Sequence, residues 1–187
     1  MHLQIINGSV RDGRVAKPVA DWAYRIASDR QDFSVEMIDL KILDLPMFDL
    51  PKSPIMGNYE SPVQQSWAEK IAQGDAYIFI SPEYNQGYSP ALKNALDYLY
   101  AEWNRKPASV VTYGGVQGAR SLEQLRQVMI ELQLVPLRDA THILNVWNKV
   151  KEDRFIPEEI DTKQLNKMLD ELTWWGNTLL NAKVSDR

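Results

Sequence analysis

The chain has 187 residues, of which 44% are hydrophobic and 25% charged, a balance that suits one globular domain over 1–187 and excludes a disordered or low-complexity chain. A net charge of −4 lacks the basic excess of a nucleic-acid binder. There is no cysteine, which excludes a disulfide framework, a thiolate nucleophile and an iron–sulfur cluster, and two histidines, His2 and His142, cannot build a multi-histidine metal site.

Residues 1–7 carry no basic region ahead of a long apolar core, so they do not read as a signal peptide. No apolar run approaches the roughly 18 residues of a membrane span. A soluble, cytoplasmic protein with neither nucleic acid nor membrane as partner is expected. Leu3-Gln4-Ile5-Ile6 reads as the first strand, ending at Asn7-Gly8. Over 14–30, Val15, Val19, Trp22, Ala23 and Ile26 share one helical face, with Pro18 early enough to be tolerated. Residues 33–38 alternate as a second strand. Pro46, Pro51, Pro54 and Gly57 make 39–60 a loop. Ser61-Pro62-Val63-Gln64 opens a helix as N-cap, first-turn proline and capping-box glutamine, and Gly74 closes it.

Ala76-Tyr77-Ile78-Phe79-Ile80 is a continuous apolar run, as in a central parallel strand covered on both faces. Ser89-Pro90 starts a helix that turns Leu92, Ala95, Leu96 and Leu99 inward. Ser109-Val110-Val111-Thr112 is a fourth strand, and 121–133 is helical, with Leu122, Leu125, Met129 and Leu132 aligned. A fifth strand lies within 134–144. Residues 151–161 read as a solvated charged linker, and 162–180 as a helix striped by Leu165, Met168, Leu169, Leu172, Trp175 and Leu179. Five strand–helix pairs predict an α/β fold: a doubly wound, five-stranded parallel sheet in three layers, with the flavodoxin-like order 2-1-3-4-5. Its ligand crevice lies at the strand carboxyl ends, where strands 1 and 3 diverge. The unusual loops, 8–14, 82–89 and 113–120, follow strands 1, 3 and 4.

In the first loop, Ser9, Arg11 and Arg14 precede a helix start, whose free N–H groups suit a phosphate. The plainer reading is a glycine turn with solvated arginines, and neither a G-x-G-x-x-G fingerprint nor a P-loop is present. The second loop sets an aromatic, an amide and a glycine where backbone N–H groups can meet a flat polar ring; the plainer reading is a capped surface turn. The third loop holds Gly114, Gly115 and Gly118, which permit close backbone approach or merely a tight turn.

Gly8-Ser9-Val10-Arg11, then Pro82-Glu83-Tyr84-Asn85 with Gly87, Pro90, Leu92-Lys93-Asn94-Ala95 and Asp97, and Gly114-Gly115 with Gly118, resemble the NADPH-dependent FMN reductase family over about residues 3–133. That family includes quinone, azo-dye and chromate reductases on a flavodoxin-like fold. The resemblance implies bound FMN, with NADPH or NADH as co-substrate and a small electron acceptor in a ping-pong cycle. It places the FMN phosphate against Ser9, Arg11 and the helix start at Arg14, Val15 and Ala16. It places the flavin ring against Pro82, Glu83, Tyr84 and Asn85, with a backbone N–H near Asn85 facing the reactive nitrogen, and the pyrimidine edge at Gly114 and Gly115. Two positions depart from the family pattern: Arg14 stands where serine or threonine is common and reads as a substitute phosphate partner, and Tyr113, where a small residue is common, covers or crowds the ring edge. No catalytic side chain is implied.

Two other functions compete. A flavodoxin-type electron carrier would bind flavin without a hydride step, but such carriers have a threonine-rich phosphate loop and a more acidic surface. A non-catalytic signalling domain of the response-regulator kind would need acidic residues where strand 1 ends in Asn7-Gly8-Ser9. Glu83 more simply serves a backbone N–H, His2 and His142 are structural, and Trp174 and Trp175 pack on their helix. Tyr98, Tyr100 and Trp103 are expected on an outer face, as part of a homodimer or tetramer interface through the helices at 89–99 and 121–133. Such an interface would bring Asn94, Trp103 or residues of 39–60 to the neighbouring flavin.

Overall fold

Apolar runs of period two alternate along the chain with stripes of period 3.6, and the strands and helices follow them. The computed structural model describes residues 1–185. Its strands are β1 (His2–Asn7), β2 (Ser34–Asp39), β3 (Ala76–Pro82), β4 (Pro107–Tyr113), β5 (Val135–Pro136), β6 (Thr141–Ile143), β7 (Val150–Lys151) and β8 (Arg154–Phe155). Its helices are α1 (Ala16–Ser28), α2 (Leu40–Leu43), α3 (Pro62–Ala72), α4 (Pro90–Asp97), α5 (Ala119–Glu131) and α6 (Glu159–Ser185). The parallel sheet runs β2-β1-β3-β4-β5, with β6 also paired to β4. This is the flavodoxin-like order, with the fifth strand split in two. Pro136 has no N–H to continue the ladder, and the chain detours where the Ser109 hydroxyl donates to the Asp139 carbonyl at 2.6 Å.

Every residue of β3 and β4 is buried, because helices cover both faces of the sheet. Ile78, Ile80 and Val111 pack with α1 and α6, whereas Tyr77, Phe79 and Val110 pack with α3, α4 and α5. Among the described residues, no helix is long and apolar enough to cross a membrane.

Four local expectations need correction. Ser61 makes no side-chain cap, and the Gln64 amide donates to the Tyr98 carbonyl at 2.7 Å, so there is no capping box. Trp103 and Tyr98 are buried, not on an outer face. α4 stops at Asp97, the helical spacing lapses, and a single 3-10 turn, Ala101–Trp103, tucks the indole inward. There its ring centroid lies 5.0 Å from that of Tyr77 and 6.1 Å from that of Phe79. Asn94 is likewise held within the chain, donating to the Pro46 carbonyl at 2.7 Å. The stretch 151–161 is not a plain solvated linker. β7 and β8 form an antiparallel hairpin whose Phe155 ring meets that of Trp22 at 4.9 Å, and Asp161 is buried against Lys149 at 2.7 Å. Residues 39–60 are mostly irregular, interrupted by α2 and the turn Pro54–Met56.

Candidate functional site

Parallel pairing aligns Asn7 with Ile80 and Pro82 with Tyr113, so the exits of β1, β3 and β4 meet at one end of the sheet. After β1, the Gly8 N–H donates to the Ile80 carbonyl at 2.9 Å and keeps the first loop beside β3. Asn7 Oδ1 accepts from the Ser9 N–H at 3.3 Å, while the buried Asn7 Nδ2 has no hydrogen-bond partner among the described residues. α1 then begins behind Val15, which offers no side-chain cap, and its first turn holds no acidic residue. Its leading N–H groups therefore remain open, with the helix's partial positive charge behind them.

Arg11 is exposed, its guanidinium carbon 5.5 Å from the centroid of the Tyr84 ring. Arg14 is held differently. It donates to the Ser9 carbonyl and pairs with Asp39 Oδ2 at 2.5 Å, both side chains being 10% exposed or less. Ser9 is fully buried, and its Oγ lies 2.9 Å from the Tyr84 hydroxyl.

The β3 exit is a tight reversal in which Tyr84 and Gly87 exchange backbone bonds of 2.8 and 2.9 Å. Asn85 and Gln86 take φ of 50° and 72°, the pattern of a two-residue hairpin turn. The Glu83 carboxylate, 3% exposed, accepts from the Arg120 backbone N–H at 3.2 Å and from its guanidinium Nε at 2.7 Å. Glu83 thus serves a backbone N–H and a cation together.

After β4, the Tyr113 carbonyl accepts from the Glu83 N–H at 2.8 Å. The buried Tyr113 phenol is pushed above its ordinary pKa by burial and then by Tyr84, against the opposing pull of Arg14 and Arg11. Glycine is needed at two points here. A Cβ on Gly114 would fall 2.7 Å from the Glu83 Cβ, and one on Gly118, at φ 72°, only 1.9 Å from Thr112 Oγ1.

The result is a cleft of about 270 Å³, near the small end of small-molecule sites. Arg11, Arg14, Val15, Pro82, Glu83, Tyr84, Tyr113 and Gly114 all line it. Ser9 and Ala16 lie buried behind the lining, while Asn85 and Gly115 are exposed beside it. Sequence reasoning passed over Trp147, which lines the mouth at 60% exposure. It follows the last strand of the sheet, so the rule that ligands meet strand carboxyl ends would have found it. Arg120 was read only as the end of a loop, with no partner for its charge.

Fold and site together describe a flavodoxin-like α/β protein with an anion-receptive helix start facing an aromatic, glycine-edged wall. The sequence matches the NADPH-dependent FMN reductase family over residues 1–149, and the chain belongs to that family. An NAD(P)H-dependent FMN reductase of Schizosaccharomyces pombe is 39% identical over 140 residues, 73% of this chain and 70% of its own length. A quinone reductase of Escherichia coli K12 is 30% identical over 192 residues, 97% of this chain and 98% of its own. Among solved structures, FerB, a flavoenzyme NAD(P)H:(acceptor) oxidoreductase from Paracoccus denitrificans, superposes with a TM-score of 0.74. It is 21% identical, covers 95% of this chain and 97% of its own, and shows the shared fold. The chain is therefore an oxidoreductase of the kind that uses FMN and NAD(P)H.

The residues present fit FMN. The uncapped start of α1 and the exposed Arg11 suit a phosphate, the Asn7 amide leaves one buried donor unused, and Pro82, Tyr84, Tyr113 and Gly114 offer a flat wall.

Proposed function

We propose that residues 1–187 act as one FMN-binding domain that passes reducing equivalents from NAD(P)H to a quinone-like or flavin acceptor in a ping-pong cycle. The supporting observation is the cleft's polarity: open N–H groups and Arg11 at one end, and Pro82, Tyr113 and Gly114 at the other. FMN, when bound, supplies the hydride chemistry itself. Arg11 and the first N–H groups of α1 hold the phosphate. Pro82 and Tyr84 flank the ring, and the hairpin turn keeps the N–H groups of Asn85 and Gln86 out of its own ladder and available to a ligand. Gly114 lets the chain approach the pyrimidine edge, and Glu83 positions the wall by tying it to Arg120. No side chain is required as acid or base, since the cofactor itself carries the hydride, and Glu83 is engaged with Arg120 and Tyr84 with Ser9.

We also propose a homodimer in the cytoplasm. Its support is no longer the Tyr98, Tyr100 and Trp103 cluster but the exposed side chains of Ile42, Met47, Ile55 and Met56 within the stretch 39–60, 81%, 73%, 59% and 67% exposed. Light scattering at micromolar concentration tests the dimer.

The test of function is the visible spectrum of the purified protein after FMN addition and desalting. Retained flavin absorbance that NADPH bleaches and a quinone restores is the expected result. Retained flavin that NADPH leaves unbleached would instead favour an electron carrier, and no retained flavin would defeat the reading.

A further inference from the structure

Three of the cleft's walls come from the loops after β1, β3 and β4; the fourth comes from the turn after β6. That turn is Val146–Asn148, a single 3-10 turn entered through Asn145 at φ 50°. It carries a large apolar side chain, Trp147, that is 60% exposed at the cleft mouth.

The mount is rigid on both sides. Before the indole, Val146 is 1% exposed and packs in the same cluster as Val15, Ala16 and Tyr113. After it, Lys149 is clamped by Asp161 at 2.7 Å and Glu158 at 2.9 Å, and the Lys149 N–H donates to the Val146 carbonyl at 3.0 Å. The hairpin β7–β8 then lays Phe155 on Trp22 of α1. The turn is thus tied to the helix whose start forms the polar end of the cleft. A buried ion pair is costly to assemble, and here it holds in place an indole that contributes little to the core.

We propose that Trp147 is a flavin-binding residue, packing on the rings and chain of FMN rather than on the incoming NAD(P)H or acceptor. This rests on the functional reading above. The position carries the inference: Trp147 lines the same cleft as Arg14 and Val15 at the polar end and Tyr113 and Gly114 at the flat wall, and its neighbour Val146 packs in one cluster with Val15 and Tyr113. A molecule with its phosphate at the first and its ring at the second fills the cleft that the indole lines. An aromatic face contributes through stacking, which is tolerant of the exact heterocycle and largely independent of charge.

The test compares the affinities of FMN and of riboflavin, each followed by quenching of flavin fluorescence, in the wild type, Trp147→Ala, Trp147→Phe and Trp174→Ala. Stacking of an exposed aromatic predicts a loss of about tenfold for both ligands in Trp147→Ala. Trp147→Phe should recover most of it. Trp174→Ala, equally exposed but outside the cleft, should bind as the wild type does. The melting midpoint of the flavin-free protein should be unchanged in all three variants.

Unchanged FMN affinity in Trp147→Ala, including the case where only the KM for NADPH rises, overturns the inference. So does a lost affinity accompanied by a lower melting midpoint that Trp147→Phe does not restore. Failure of the wild type itself to bind FMN defeats the functional reading and this inference with it, and is recognised by the absence of quenching in every protein.

Discussion

The two arginines of the first loop should separate cleanly when each is replaced by alanine. Arg14 and Asp39 form a pair of largely buried side chains 2.5 Å apart, and Arg14 also donates to the Ser9 carbonyl. Removing one partner of a buried pair costs about 3–5 kcal/mol, most of it from the charge left behind. Asp39 keeps the Lys41 N–H at 3.0 Å, which places Arg14→Ala near the lower end, about 3 kcal/mol. For a chain of this length that corresponds to a fall of about 6–12 °C in melting midpoint. Arg11 is exposed and has no carboxylate partner among the described residues, so Arg11→Ala should leave the midpoint unchanged. If Arg11 makes a charge-assisted bond to the phosphate, worth about 1.5–3 kcal/mol, FMN affinity should fall about 10- to 150-fold. Asp39→Asn completes the comparison: it unties the same loop without removing a cation, so it should reproduce the stability loss of Arg14→Ala and any modest loss of FMN affinity. Differential scanning fluorimetry and FMN titration on the three variants read both quantities. Arg14→Ala that keeps its melting midpoint yet loses FMN as Arg11→Ala does would refute this assignment and make Arg14 a phosphate ligand.

Three further outcomes follow from the packing. Asp161→Asn leaves the Lys149 ammonium with only the exposed Glu158 and weakens the acceptor of the Glu158 N–H; urea unfolding should show a loss of about 3 kcal/mol. Gly118→Ala forces a Cβ into Thr112 at a positive φ, and a loss of at least about 2 kcal/mol is expected in the same assay, with a wild-type result counting against the packing. Lys106 is buried, and burial followed by the charge of Lys183 lowers its pKa to about 8. Between that value and the unfolded 10.5, the unfolded chain binds a proton that the native one lacks, so stability should rise with pH over this window by up to about 3 kcal/mol. Lys106→Met should remove that rise, and urea midpoints at pH 7.5, 9 and 10.5 that move alike in both proteins would show that Lys106 stays charged.

Strand order and the three loops were legible in the sequence because they rest on local signals: apolar runs, helical stripes, and glycines and prolines at the breaks. Ser89 as a cap was legible for the same reason. The roles of charged and aromatic side chains were not, because their partners lie far along the chain. Arg14 meets Asp39, 25 residues on, and Glu83 meets Arg120, 37 residues on. No spacing rule links such pairs. Trp103 was misplaced because helical spacing was extended past Asp97, where α4 ends and the chain turns into the core. The fifth strand was located but not divided, since its break depends on Ser109 of the neighbouring strand reaching Asp139.

The same long-range pairs bear on how such a cleft can bind a cofactor without a reactive side chain. Ser89 Oγ donates to the Gly8 carbonyl and joins the second loop to the first. Glu83 joins the second loop to α5 through Arg120, and to β4 through its own N–H. Arg14 joins the first loop to the end of β2 through Asp39. Each of these residues has chemistry suited to a ligand, and each is engaged in holding one loop against another. What this leaves facing the cleft is main chain, aromatic surface, the exposed Arg11 guanidinium and the exposed Asp12 carboxylate, itself paired with Lys41. Main-chain N–H groups fixed by such ties need little reorganisation on binding, which lowers the entropic cost of taking up a ligand. If the ties are what organise the site, Glu83→Gln should weaken FMN and riboflavin alike, because it loosens the ring wall and leaves the phosphate end intact. A loss confined to FMN would place Glu83 in the phosphate's field instead. Parallel titrations of the two ligands against this one variant distinguish the cases.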